Sequence, residues 1–230
     1  MASMYTSGDY LASNSTWHDN DAPWKARKIS ELMTDQALKP DTICEVGCGT
    51  GQILLDLAQR FPSGKFIGYD ISPQAFEIWR RKQTDKMEYR LRDIFADAEE
   101  RFDLMLVIDV IEHIEDIFGF LRKLKPLSPV KIFHIPLDLS VQSVMRMRPI
   151  TNLRKSVGHI HYFTTELALS ILRDCGYEIV AHRYTASRLE LPNQAWSSQV
   201  MKFPRRALFN LNPGLTVRVL GGYSLLVLAR

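Results

Sequence analysis

Residues 45–51 read Glu45-Val46-Gly47-Cys48-Gly49-Thr50-Gly51, three glycines at alternate positions behind a carboxylate. They stand where a β-branched, apolar run, Thr42 to Gly47, hands over to Gln52 to Phe61, in which Ile53, Leu54, Leu57, Ala58 and Phe61 recur at helical spacing. A strand-to-helix turn built of glycine bends sharply and lets a ligand approach the backbone more closely than any Cβ would permit. The spacing is G-x-G-x-G, not the G-x-G-x-x-G with which a dinucleotide fold presents a helix N-terminus to a pyrophosphate. Glu45 sharpens the distinction, because a carboxylate here would repel a pyrophosphate but accept from an ammonium group, directly or through water. The turn is expected to hold a nucleotide-type ligand with a positive end.

Outward from this turn, short apolar runs alternate with longer helical periodicities, the pattern of a parallel sheet with crossover helices. Strands are expected at Thr42–Gly47, Lys65–Ile71, Met87–Asp93, Asp103–Val110, Val130–Pro136, Glu178–Thr185 and Tyr223–Ala229. A helix with Leu167, Leu169, Ile171 and Leu172 on one stripe should run from Thr165 to Cys175 and stop at Gly176. Ahead of the sheet, Ala22–Leu38 reads as a helix capped by Asp21 with Pro23 in its first turn, placed against or over the sheet edge as a lid within residues 1–41. Residues 137–157 and 187–216 break the alternation. Both are expected to be substrate-cap insertions, since ligands are met at the carboxyl ends of a parallel sheet.

At 230 residues the chain can bury one full core, and one domain spanning 1–230 is expected. A hydrophobic fraction of 46% with 24% charged residues excludes a disordered or collagen-like chain. A net charge of +3 over 29 basic and 26 acidic residues gives no general nucleic-acid footprint. Three widely spaced cysteines read as reduced packing thiols, which points to a cytoplasmic setting. Met1 to Asn20 has neither the basic start nor the apolar core of a secretory signal, and no run reaches the roughly 18 apolar residues of a membrane span.

The glycine turn resembles the first motif of class I S-adenosylmethionine-dependent methyltransferases, E/D-x-G-x-G-x-G, and later segments match that family in order over nearly the whole chain. Asp70, in Gly68-Tyr69-Asp70-Ile71-Ser72, falls about 20 residues after the glycines, where a carboxylate accepts both ribose hydroxyls. The resemblance implies that Ile71 packs on the adenine, and that Asp93 and Ile94 stand near its amino group. Val107-Ile108-Asp109-Val110-Ile111-Glu112-His113 corresponds to the family's catalytic-side motif, and Gly158-His159-Ile160-His161-Tyr162-Phe163-Thr164 to a segment before the penultimate helix. The implied S-adenosyl-L-methionine site is Glu45, Gly47, Cys48, Gly49, Gly51, Asp70, Ile71, Asp93, Ile94 and Asp109, with Cys48 as a small space-filler and not a nucleophile. The implied fold is α/β, a doubly wound, Rossmann-like, seven-stranded and mostly parallel sheet with its last strand antiparallel. The implied branch is small-molecule, similar to the enzymes of ubiquinone biosynthesis.

The sulfonium is already a good electrophile, so the protein must align acceptor, methyl and sulfur and exclude water. An oxygen or nitrogen acceptor that carries a proton also needs a base, and His113 and His159 are the candidates at the sheet's carboxyl ends. O-methylation of a small molecule is the leading expectation, with no metal ligand assigned. A second reading takes Asp109-x-x-Glu112-His113, completed by His159, as similar to the E-x-x-E-H run of metal-assisted O-methyltransferases, although Asp has a shorter reach than Glu. Rival functions are an RNA methyltransferase, disfavoured by the lack of a basic accessory domain, a non-catalytic cofactor-binding regulator, and an NAD-dependent oxidoreductase, disfavoured by the glycine spacing. Residues 144–148 and 203–209 interleave apolar and cationic side chains, which suits either an amphiphilic or acidic acceptor or arginines whose heads lie in water. Trp17, His18 and Trp24 either close over the cofactor or anchor the N-terminal arm.

Overall fold

A computed structural model describes residues 20–82, 84–97, 99–191 and 202–230. Its seven strands are β1 (Thr42–Val46), β2 (Lys65–Asp70), β3 (Met87–Leu91), β4 (Leu104–Ile108), β5 (Val130–Pro136), β6 (Ile179–Thr185) and β7 (Ser224–Ala229). They form one sheet in the order β3-β2-β1-β4-β5-β7-β6. The first five are parallel, whereas β7 runs antiparallel to both β5 and β6. All seven expected strands are present, each within two residues of its expected bounds.

Every residue of β4 is buried, as the centre of a sheet covered on both faces requires. Alternate residues separate the two faces. Leu104, Leu106 and Ile108 join a cluster with Ala26, Ile29, Leu32 and Met33 of α1 (Ala22–Asp35), Leu54 and Leu57 of α2 (Gln52–Arg60), and Trp79 of α3 (Pro73–Trp79). Met105 and Val107 join the opposite cluster, with Leu121 and Leu124 of α4 (Ile117–Leu124) and Ala168, Leu169 and Leu172 of α7 (Thr165–Asp174). Helix α1 therefore lies on a face of the sheet against α2, not over the sheet edge. Its start also differs from expectation: the Asp21 side chain makes no cap hydrogen bond and instead pairs with Lys25 at 3.1 Å. Helix α7 ends as expected, with Gly176 at φ +83° donating to the Arg173 carbonyl.

Residues 137–157 fold as α5 (Val141–Arg146) and α6 (Arg148–Ser156). The second insertion contains α8 (Ser187–Glu190) and α9 (Lys202–Leu211), continues into α10 (Pro213–Leu220), and includes residues 192–201 outside the described residues, as are Trp17 and His18. Helix α10 packs against both α9 and α5. The buried Arg205 guanidinium locks this cap together by donating to the Gly221 and Leu220 carbonyls and to Gln142 Oε1. Arg205 is therefore a strut of the cap and does not face a substrate.

Candidate active site

The turn after β1 is pinned by Tyr69, whose carbonyl accepts from both Gly47 N and Cys48 N. Gly47, Gly49 and Gly51 all have positive φ, at +69°, +53° and +71°. A Cβ on Gly47 would meet Val110 Cγ2 at 2.8 Å, and one on Gly51 would overlap the Tyr89 ring. Gly51 does not line the cavity; it is the residue before α2 and shapes the turn from behind. Cys48 is buried against Gly68, and burial raises its thiol well above the ordinary range.

Glu45 lies beneath this turn, 1% exposed, and its Oε2 has no hydrogen-bond partner among the described residues. Burial raises its carboxyl well above the ordinary range, only partly opposed by Lys25. An orphaned buried carboxylate facing a glycine turn fits a cationic ligand. Asp70 ends β2 with both oxygens engaged by the backbone, Oδ2 accepting from Gly49 N at 2.7 Å and Oδ1 from Ser72 N at 2.8 Å. Burial raises its carboxyl and those backbone donors partly restore it. Each oxygen keeps a further lone pair for a ribose hydroxyl. Ile71, half exposed, and the buried Ile94 both line the cavity. Asp93 lines it too, while its Oδ1 accepts from Phe95 N and so shapes the turn after β3.

Asp109 is one of three non-glycine residues with positive φ among the described residues, at +53°. Its strain is offset by two partners, Lys25 Nζ at 2.8 Å and His134 Nδ1 at 2.6 Å. Burial alone would raise this carboxyl, but His134 and Lys25 hold it well below the usual carboxylate range. His134 continues to Thr185 Oγ1 at 2.9 Å and takes the edge of the Trp24 ring. Neither Lys25 nor His134 was identified from sequence, since a lysine in a helix and a histidine in an apolar strand carry no local motif.

The Glu112 carbonyl accepts from Ile160 N and His161 N, which zips the post-β4 loop to residues 158–163. This brings His113 and His159 together, ring centroids 4.9 Å apart and nearly perpendicular. His113 Nδ1 lies 3.2 Å from the Gly158 carbonyl, and its Nε2 lies 3.9 Å from Glu112 Oε1. His159 Nδ1 is 2.7 Å from Asp138 Oδ2, and that carboxylate fixes the tautomer that leaves the lone pair on Nε2. Asp138, just past β5, was also missed: its partner is 21 positions away and is reached only through the fold. Glu112 is fully buried with both carboxylate oxygens lacking a hydrogen-bond partner among the described residues, and burial first, then Asp109 and Asp138, raises it well above the ordinary range. Ligand atoms of Glu112, His113 and His159 lie within 4.8 Å of one another. Asp109, expected as a fourth metal ligand, is absent from this group and bound instead to Lys25 and His134.

A cavity of about 950 Å³ is lined by Glu45, Asp70, Asp109, Glu112, His113 and His159. Helix α1 contributes Trp24 and Lys25 to its wall, and the cap contributes Gln142, Arg146 and Asn152. The volume is within the range of small-molecule sites, large enough for a nucleoside ligand and an acceptor side by side.

A family model described as a methyltransferase domain matches residues 17–182. The ubiquinone biosynthesis O-methyltransferase of Azorhizobium caulinodans is 32% identical over 91 residues, 37% of this chain and 35% of that protein. The human tRNA N(3)-cytidine methyltransferase METTL6 is 26% identical over 195 residues, 74% of this chain and 68% of that protein. The chain spans about a third of the length of several curated relatives that it matches. Among solved structures, the plantazolicin methyltransferase BpumL in complex with SAH has a TM-score of 0.64 at 16% identity, over 100% of this chain and 93% of that one, a likeness of fold.

Proposed function

The chain belongs to the methyltransferase-domain family of class I S-adenosylmethionine-dependent enzymes, and from that premise we propose that it methylates an oxygen of a small-molecule acceptor, with His159 as the base. When bound, S-adenosylmethionine supplies the methyl group as an electrophile on its sulfonium. Glu45 would face the methionine ammonium, Asp70 the ribose hydroxyls, Ile71 and Ile94 the adenine, with Asp93 at its edge and Gly47, Cys48 and Gly49 beneath. The Asp138–His159 pair carries the acceptor half of the proposal. Asp138 orients the ring, Nε2 takes the proton from the acceptor hydroxyl, and His113 packs against the same ring. Helix α1 and the cap exclude water from the cavity between them.

A panel of phenols and catechols, read by release of the demethylated cofactor and by mass of the product, tests the activity. His159→Ala should lower turnover about 100-fold or more while cofactor affinity stays near wild type, and Asp138→Asn should follow it more weakly. A loss below about tenfold would return both residues to a positioning role.

A second reading is favoured by the unpartnered Glu112 carboxylate beside His113 and His159. One carboxylate and two imidazoles would suit a divalent cation that lowers the pKa of the acceptor hydroxyl. In that case chelator abolishes turnover, added divalent metal restores it, and Glu112→Ala is as damaging as His113→Ala. Full activity in chelator eliminates the metal and leaves the histidine base.

A further inference from the structure

None of the chain's 26 acidic residues falls within 139–165 or 191–230, the stretches that hold α5, α6, α9 and α10, although Asp138 and Glu190 stand at their edges. Arg146, Arg148, Arg154 and Lys155 of α5 and α6 and Arg206 of α9 are exposed there, while Arg218 of α10 pairs with Glu166. Large apolar side chains stand among them without cover. Met145 is 82% exposed, Phe203 84% and Leu211 83%, with Val141, Val144, Leu208 and Leu215 about half exposed. Single exposed apolar residues are ordinary, but several on helices packed side by side, interspersed with cations and free of acids, make an interaction surface.

From this combination we propose that the outer surface of the cap, α5, α9 and α10 with the cations of α6, docks on an anionic lipid bilayer, Met145, Phe203 and Leu211 entering the headgroup boundary while the arginines meet lipid phosphates. Helices that lie in a membrane interface have this division into apolar anchors and basic neighbours. The alternatives match the surface less well. A second copy of the chain would bring one predominantly basic face against another, which repels. A nucleic acid would engage the cations but leave Met145 and Leu211 in water, and among the exposed side chains named here Phe203 is the one aromatic platform for a base. The Arg205 strut keeps the helices in one arrangement, so the surface is presented before any membrane is met. The proposal is independent of the acceptor's identity and of the base.

The test is co-sedimentation of the full chain with vesicles of phosphatidylcholine alone and with roughly one third phosphatidylglycerol, at about 50 and about 500 mM salt. The expected result is binding at least tenfold tighter to the anionic vesicles, weakened at high salt, and lowered at least tenfold by Met145→Glu with Phe203→Glu and Leu211→Glu. Calorimetric affinity for S-adenosylmethionine should be unchanged in that variant, which shows that it is folded. If the triple variant does not fold, Arg148→Glu with Arg206→Glu must produce the same loss on anionic vesicles. Equal binding to both vesicle types, binding insensitive to these substitutions, or a concentration-dependent dimer in sedimentation that the triple variant abolishes, overturns the proposal.

Discussion

In the proposed function Glu45 and Asp70 would divide the work of holding a ligand that carries charge at one end and hydroxyls at the other. Asp70 already anchors Gly49 N and Ser72 N, so Asp70→Ala removes both the proposed ribose acceptor and a pin of the turn. The expected loss in cofactor affinity is about 2 to 4 kcal/mol by calorimetry, and unchanged affinity would remove Asp70 from the site. Glu45 makes a pH prediction. Its carboxyl is raised by burial in the ligand-free protein, whereas a cationic ligand requires it ionised. Affinity should therefore rise with pH above the ordinary carboxylate range, by up to about tenfold per unit, and level off above the raised value, with proton release on binding. A flat profile across pH 6 to 9, with no proton release, would show that Glu45 does not face the charge. Glu45, Asp70 and His159, which all line the cavity, could be named as candidates from sequence because each sits within a few positions of a glycine or a strand end. Lys25, His134 and Asp138 could not, because their partners Asp109 and His159 lie 21 to 84 positions away and adjacency is created by the sheet.

Helix α1 shows how one element is tied down at two places. Its inner face is sealed by Ala26, Ile29, Leu32 and Met33, but its first turns depend on polar contacts. Lys25 reaches Asp109, while Trp24 Nε1 and Lys28 Nζ converge on Glu190 of α8 at 3.0 and 2.8 Å. Burial alone would lower the Lys25 ammonium, but Asp109 and Asp21 raise it, so this clasp stays charged at neutral pH. Glu190→Ala should remove the second tie alone. A partly exposed pair of this kind is worth about 1 kcal/mol, so cofactor affinity should fall about fivefold, with faster amide exchange in residues 22–28 and none in α2. Equal exchange in variant and wild type would mean that the first tie suffices. The sequence disclosed the helix through its 3.6-residue stripe but misplaced it at the sheet edge, because periodicity reports that a face is buried and not what buries it.

On the scale of the molecule, alternation along the chain was enough to predict the strands, and the family resemblance supplied the antiparallel β7. The cap was marked only by its failure to alternate, so its internal helices and the Arg205 strut were invisible until folded. Charge is also organised globally. Glu45 and Glu112 are raised by burial, so the stability they contribute is complete below the unfolded value of about 4.3 and is lost as pH rises through their folded values. Asp109 works in the opposite sense: depressed by His134 and Lys25, it stabilises above about 3.9 and loses that contribution as pH falls. Glu45 and Glu112 should therefore cost the ligand-free protein stability as pH rises above the ordinary carboxylate range. Glu112→Gln should flatten that decline and raise Tm at pH 8 by about 2 to 4 °C, for roughly 1 kcal/mol, with little change at pH 4.5. Parallel Tm profiles for wild type and variant would show that Glu112 is not under this strain. The position of β7 also bears on how the molecule is made. Ser224–Ala229, the last of the seven strands to leave the ribosome, fills an interior slot between β5 and β6, which share no other partner. Until Ala229 is made, β5 presents an open, apolar edge and β6 has no partner strand, so a chain cut short before β7 would be a five-stranded sheet with a sticky edge.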